Sequence, residues 1–167
     1  FGGGWHTDTS YMEVPPKATM LYALEVPEVG GDTLFADMYA AFESLSPGMQ
    51  RLAESLTGVY SASMVHGAQG VYTTQADHPM QRRTSEVAEQ RVEHPVVRTH
   101  PETGRKALYC SLAHTERIRD MARDESRELL SMLVNRATRA ELVTRLRWRP
   151  GTVALWDNRC VQHYALN

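Results

Sequence analysis

Residues 153–165 read VALWDNRCVQHYA. Two short apolar and aromatic runs, 153–156 and 160–165, flank Asp157-Asn158, a pair that favours turns because both side chains bond back to nearby backbone. The stretch reads as two neighbouring strands, and the same pattern recurs along the chain. Residues 94–99 (HPVVRT) and 106–110 (KALYC) flank Pro101-Glu102-Thr103-Gly104, a hairpin turn. Residues 59–65 read as a strand, and so do 18–26 (ATMLYALEV), between prolines. Thr33-Leu34-Phe35 follows the Gly30-Gly31-Asp32 turn as a further short strand. Residues 5–13 (WHTDTSYME) alternate loosely and read as a strand ended by Pro15-Pro16.

Helices are expected between these strands. One covers 37–45 with Asp37 as cap. A second starts at Ser46-Pro47, with Ser as N-cap and Pro at the first helical position. Its Met49, Leu52, Ala53 and Leu56 share a face, and Gly58 is expected to stop it. Another covers about 124–136, and a last one starts at Thr138, with Glu141 completing a capping box. From Gly67 to Gln90 the chain is polar and lacks an apolar period, so 67–90 is expected to be a lid or mobile loop. There is no internal repeat. Short strands with inserted helices predict a mainly β fold, a sandwich or barrel with helical decoration.

The 167 residues suit a single domain with a substantial core. A net charge of −2 does not advertise binding to nucleic acid or to a membrane surface. No apolar run approaches the ~20 residues needed to span a bilayer. Cys110 and Cys160 cannot form a disulfide framework, and reduced thiols suit a cytoplasmic protein. The chain begins at Phe1 rather than Met and stops after a strand, so it is expected to be part of a longer protein.

His6-Thr7-Asp8 is the first chemical candidate. Residues two apart on a strand point to one face, so an imidazole and a carboxylate would project together. The motif is weak alone. His163, in the last strand, would complete two histidines and one carboxylate, a set that leaves open positions on a non-haem Fe(II) ion.

The segments WHTDTSYMEVPPKA, EVGGDTLFADMYAAFESLS, HPVVRTHPETGRKALY and WDNRCVQHYA together are highly specific. Through them almost the whole chain resembles the taurine dioxygenase/2,4-D dioxygenase family of Fe(II)- and 2-oxoglutarate-dependent enzymes. The resemblance implies a double-stranded β-helix (jelly-roll) core and iron ligands at His6, Asp8 and His163. It implies that Thr33, in the GGDT segment, binds the 2-oxoglutarate carboxylate. The implied reaction consumes O2 and 2-oxoglutarate, releases succinate and CO2, and hydroxylates a small anionic substrate: a sulfonate, alkyl sulfate or phenoxyalkanoate. A homo-oligomer is compatible with it. The family's Arg for the far 2-oxoglutarate carboxylate would fall past Asn167; Arg159 is a weak substitute, since an Arg beside a turn more often faces solvent. The family's section ahead of Phe1 supplies part of the substrate pocket.

By the same resemblance His66 and Tyr109 are candidate substrate contacts. Gly2 falls where taurine-acting members carry a substrate-binding Asn, which weighs against taurine itself. Trp5 and Trp156 are expected to support the core, and Asp157 either orients His163 or serves the turn. His94, His100 and His114 are expected to be structural or exposed, and Cys160 a small apolar residue. The Arg-rich stretch 136–149 reads as a solvated helix face. Two rival readings stay open, a metal-binding jelly-roll module without oxygenase activity and a zinc hydrolase using the same three ligands. Thr33 argues against both.

Overall fold

The computed structural model describes residues 4–66 and 86–166. Its strands are β1 (Ala18–Tyr22), β2 (Thr33–Asp37), β3 (Thr57–Ser61), β4 (Arg91–Pro95), β5 (Val97–Thr99), β6 (Lys106–Leu108), β7 (Thr115–Ile118), β8 (Val143–Leu146), β9 (Val153–Asp157) and β10 (Val161–Ala165). Its helices are α1 (Met38–Glu43), α2 (Pro47–Ser55), α3 (Ser63–His66) and α4 (Arg123–Ala137). The strands pair antiparallel in the orders β1-β9, β10-β2-β8, β4-β3-β7 and β5-β6. The fold is mainly β with inserted helices, as the sequence predicts.

Local chemistry explains the helix starts. Asp37 Oδ1 accepts the backbone N–H groups of Tyr39 and Ala40, and Ser46 Oγ accepts that of Met49. Both caps satisfy donors that the first helical turn leaves without partners. Ala122 caps α4, its N–H accepted by the Glu125 carboxylate, and the helix buries Leu130, Leu133, Val134 and Ala137 against the core. Burying one such leucine contributes about 1.5–3 kcal/mol.

Several elements differ from expectation. Residues 5–13 are not a strand. Only His6 bridges to His163, and Thr9 sits at φ +48°, turning the chain immediately after Asp8. A β-branched residue in that region is strained by about 1–3 kcal/mol. Gly58 does not end α2 but lies inside β3, where a Cβ would come 2.7 Å from the Tyr60 ring. Residues 59–65 split between β3 and α3. HPVVRT breaks at Val96, where pairing passes from β3 to β6. Thr138 closes α4, donating its hydroxyl to the Val134 carbonyl, and the predicted last helix is a single 3-10 turn followed by β8. Of the polar stretch 67–90, residues 67–85 lie outside the described residues, and Glu86–Glu89 form a 3-10 turn. Both cysteines are free. No helix among the described residues is long and apolar enough to cross a membrane.

Strand alternation gives two sheets a working face. On β2 and β10, Ala36 and Gln162 are buried toward the helical core, whereas Thr33, Phe35 and His163 share the opposite face. On β1 and β9, Thr19 opposite Trp156 occupies one face, and exposed Met20, Tyr22, Val153 and Leu155 the other.

Candidate metal centre

His6, Asp8 and His163 converge although the first and last are 157 positions apart in the chain. Reciprocal backbone bonds between His6 and His163, at 3.1 and 2.9 Å, clamp the two histidines side by side, with ring centroids 4.3 Å apart. Thr7 turns the other way and donates to the Val161 carbonyl, which leaves His6 and Asp8 on one side. His6 Nε2 lies 3.5 Å and His163 Nε2 3.7 Å from the same oxygen, Asp8 Oδ1.

The protonation pattern suits a cation. His6 Nδ1 is 2.7 Å from the Gly4 carbonyl, which can only accept, so Nδ1 carries a proton and Nε2 is the ring nitrogen turned toward Asp8, free to ligate once deprotonated. Burial, reinforced by the neighbouring His6, pushes the His163 imidazolium down to about pH 4, so this ring is neutral at pH 7. Burial opposes ionisation of Asp8, but hydrogen bonds from His6 and Thr19 and the nearby imidazoles outweigh it and hold the carboxyl below its usual range. With both Nε2 atoms deprotonated, their lone pairs and the carboxylate oxygen would repel one another unless a cation lay between them. The donor set therefore fits a divalent ion held by two imidazole nitrogens and one carboxylate oxygen.

The walls are aromatic. Trp156 and Phe35 pack against the His163 ring, with centroids 4.8 and 6.2 Å away. Trp5 packs on Tyr164. Trp156 is buried and Trp5 packs partly buried against the core, as expected of residues that support it. Thr33 lies two residues from Phe35, the partner of His163, on the same face. Its Oγ1 accepts the Trp148 indole N–H at 2.9 Å, which leaves the hydroxyl proton to donate. A cavity of about 460 Å³ opens beside Phe35, Tyr39, Thr144, Cys160 and Val161.

Tyr109 is almost fully buried, with Arg98 over its ring and His94 and Tyr60 beside it. His66 ends α3, and its side chain, like Gly2, lies outside the described residues. His94, His100 and His114 are all buried. Asp157 does not orient His163: its carboxylate accepts hydrogen bonds from Arg159 and His100. Arg159 does not face solvent, because it pairs with Asp157 and Glu102. The Arg-rich stretch is partly strand, and Arg145 pairs with Asp32 at 2.6 Å. Sequence reasoning missed Thr19, which donates to Asp8 Oδ2, and Asn158, which donates to Thr19. No local pattern marks either residue.

The family model "Taurine catabolism dioxygenase TauD, TfdA family" matches residues 1–166. An alkylsulfatase of Acinetobacter baylyi is 38% identical over 98% of this chain and 51% of its own length. An alpha-ketoglutarate-dependent sulfate ester dioxygenase of Pseudomonas putida is 37% identical over 98% of this chain and 54% of its own. The crystal structure of a taurine dioxygenase from Burkholderia xenovorans superposes with TM-score 0.81 at 35% identity, covering 98% of this chain and 50% of that one. The chain thus spans about half the length of the curated relatives it matches. The similarity identifies the stacked antiparallel strands as a jelly-roll core.

Proposed function

The chain belongs to the taurine catabolism dioxygenase TauD, TfdA family, and from that membership we propose an Fe(II)- and 2-oxoglutarate-dependent dioxygenase that hydroxylates a small anionic organic molecule. One observation carries the reading: two imidazole nitrogens and one carboxylate oxygen converge, with no guanidinium or ammonium among them in the described residues. His6, Asp8 and His163 would hold the metal. When bound, Fe(II) supplies O2 chemistry coupled to oxidation of 2-oxoglutarate to succinate and CO2.

The protein's residues do the rest. The His6–His163 backbone bridge fixes the spacing of the two imidazoles. Trp156 and Phe35 pack against the His163 ring and hold its orientation. Thr33 offers its hydroxyl proton to a co-substrate carboxylate, with Trp148 fixing the direction of that hydroxyl. His66, Tyr109 and Gly2 belong to the same proposal as substrate-side residues. Sulfonates, alkyl sulfates and phenoxyalkanoates are the substrate classes to test. Two free thiols suit a cytoplasmic setting.

The test is succinate release by the full-length protein with Fe(II), 2-oxoglutarate and O2, against a panel of those three classes. Substrate-stimulated succinate is expected, and its absence with every compound would favour a metal-binding module without oxygenase activity. Thr33→Val is expected to raise the 2-oxoglutarate concentration needed for half-maximal rate, with metal affinity unchanged. An unaltered requirement would make Thr33 a strand residue only.

A further inference from the structure

We infer that Thr19 and Asn158 form a positioning relay that fixes Asp8 as a one-oxygen metal ligand. The inference rests on the ligand set proposed above and adds two residues to it.

The direction of the relay follows from donor chemistry. Asn158 is fully buried in the turn between β9 and β10, and its backbone N–H donates to the Lys17 carbonyl. One side-chain amide atom lies 3.4 Å from the Pro16 carbonyl and 2.9 Å from Thr19 Oγ1. A carbonyl can only accept, so that atom is the NH2 group. Its second proton then goes to Thr19 Oγ1. The single Thr19 hydroxyl proton is left for Asp8 Oδ2, at 2.6 Å. The chain runs from Asn158 to Thr19 to Asp8 without a free choice of proton position.

The consequence lies on the other carboxylate oxygen. With Oδ2 occupied, Oδ1 is the oxygen that faces His6 Nε2 and His163 Nε2. An octahedral ion gripped by two imidazoles and a chelating carboxylate would have two positions left, whereas a one-oxygen ligand leaves three. A chelating co-substrate and O2 together need three. Thr19 and Asn158 are thus positioning residues, and they act through Asp8. Thr19 lies opposite Trp156, and Asn158 begins the turn into β10, so the relay also ties the Asp8 turn to the strands that present His163.

The experiment is a Co(II) titration of the metal-free protein, followed by visible absorption, with thermal unfolding of each metal-free variant alongside. Thr19→Val is expected to weaken Co(II) binding about tenfold to a hundredfold and to shift the spectrum. Thr19→Ser, which keeps the hydroxyl, is expected to restore both. Asn158→Leu should weaken binding less, and the double variant should be no worse than Thr19→Val, because both changes act along one path. Wild-type affinity and spectrum in Thr19→Val would overturn the relay. Should Thr19→Val not fold, Asn158→Leu decides, and wild-type affinity and spectrum there would overturn it equally. Asp8→Ala separates the two levels of the argument. If Asp8→Ala loses the metal and Thr19→Val does not, only the relay fails. If Asp8→Ala binds as the wild type does, the ligand set fails and the relay with it.

Discussion

Among the described residues two clusters have the composition of a metal site, and only one of the two has bonding that suits one. His6, Asp8 and His163 form the first, and His100, Asp157 and Cys160 the second; in each, the donor atoms lie within 4.8 Å of one another. In the second cluster every donor is already engaged. His100 Nδ1 accepts the backbone N–H groups of Glu102 and Thr103, so its Nε2 holds the proton and donates to Asp157 at 3.1 Å. Asp157 takes Arg159 through both carboxylate oxygens. Burial pushes the Cys160 thiol up, away from the thiolate that a metal would need. The second cluster therefore already contains its cation, the Arg159 guanidinium. In the first, His6 Nε2, His163 Nε2 and Asp8 Oδ1 face one another, and no guanidinium or ammonium intervenes among the described residues. Proximity of ligating side chains is a weak criterion, and the partner of each ligating atom is the stronger one.

The largest expected effect tests that contrast directly. Equilibrium dialysis should give one Co(II) per wild-type chain, and none in Asp8→Ala or His163→Ala. Asp157→Asn and Cys160→Ser should each still bind one. Two equivalents in the wild type, or one retained in His163→Ala, would break the comparison.

The next effect is on stability. Asp157→Asn removes the charge that Arg159 faces, which costs about 1–3 kcal/mol, since both groups keep some contact with water. The change is read as a fall in melting temperature at pH 7. It should depend on pH in a defined direction. The Arg159 guanidinium, against the cost of burial, holds the Asp157 carboxyl well below the usual carboxylate range. A carboxyl with a depressed native pKa stabilises the fold fully above its unfolded value, about 4, and loses that contribution as the pH falls toward the native value. Wild type and Asp157→Asn should therefore differ most near pH 7 and converge as the pH drops below about 4. A gap that stays constant would assign the loss to packing.

The contrast also explains what could be read from the sequence. Caps at Asp37 and Ser46 were legible because a cap acts within three residues. The candidate ligand set was legible as a grouping because the family segments carry His6, Asp8 and His163, which the fold brings together. The strand expected over 5–13 was not, because Thr9 adopts a backbone angle that a β-branched residue rarely takes. β8 read as helix because Glu141 resembles a capping residue. Its conformation is set by pairing with Thr33–Ala36, more than 100 residues away in the chain. Asn158 and Thr19 meet across 139 positions, so no local pattern could expose them. Asp157 stands near His163 in the sequence and reads as a residue that could orient it, yet its neighbour Asn158 is the one bonded to Thr19, the partner of Asp8. Composition identifies candidate ligands; only the fold shows which are already bonded.

The smallest expected effect lies at the rim of the second cluster. Glu102 accepts Lys17 at 2.5 Å and Arg159 at 3.2 Å, and Lys17 is well exposed. Exposed ion pairs contribute little, because water and salt screen them and both long side chains lose freedom on pairing. Lys17→Ala should leave the melting temperature unchanged at moderate salt, even though it removes the bond that leads the Glu102 carboxyl's downward shift. Asp157 meets Arg159 beneath that rim through two oxygens and a backbone N–H, so its geometry does not depend on Lys17. A loss in Lys17→Ala as large as in Asp157→Asn would mean that the chain from Lys17 through Glu102 and Arg159 to Asp157 acts as one cooperative unit. The cation in the second cluster would then owe its place to the surface, and the distinction between the clusters would rest on that outer pair.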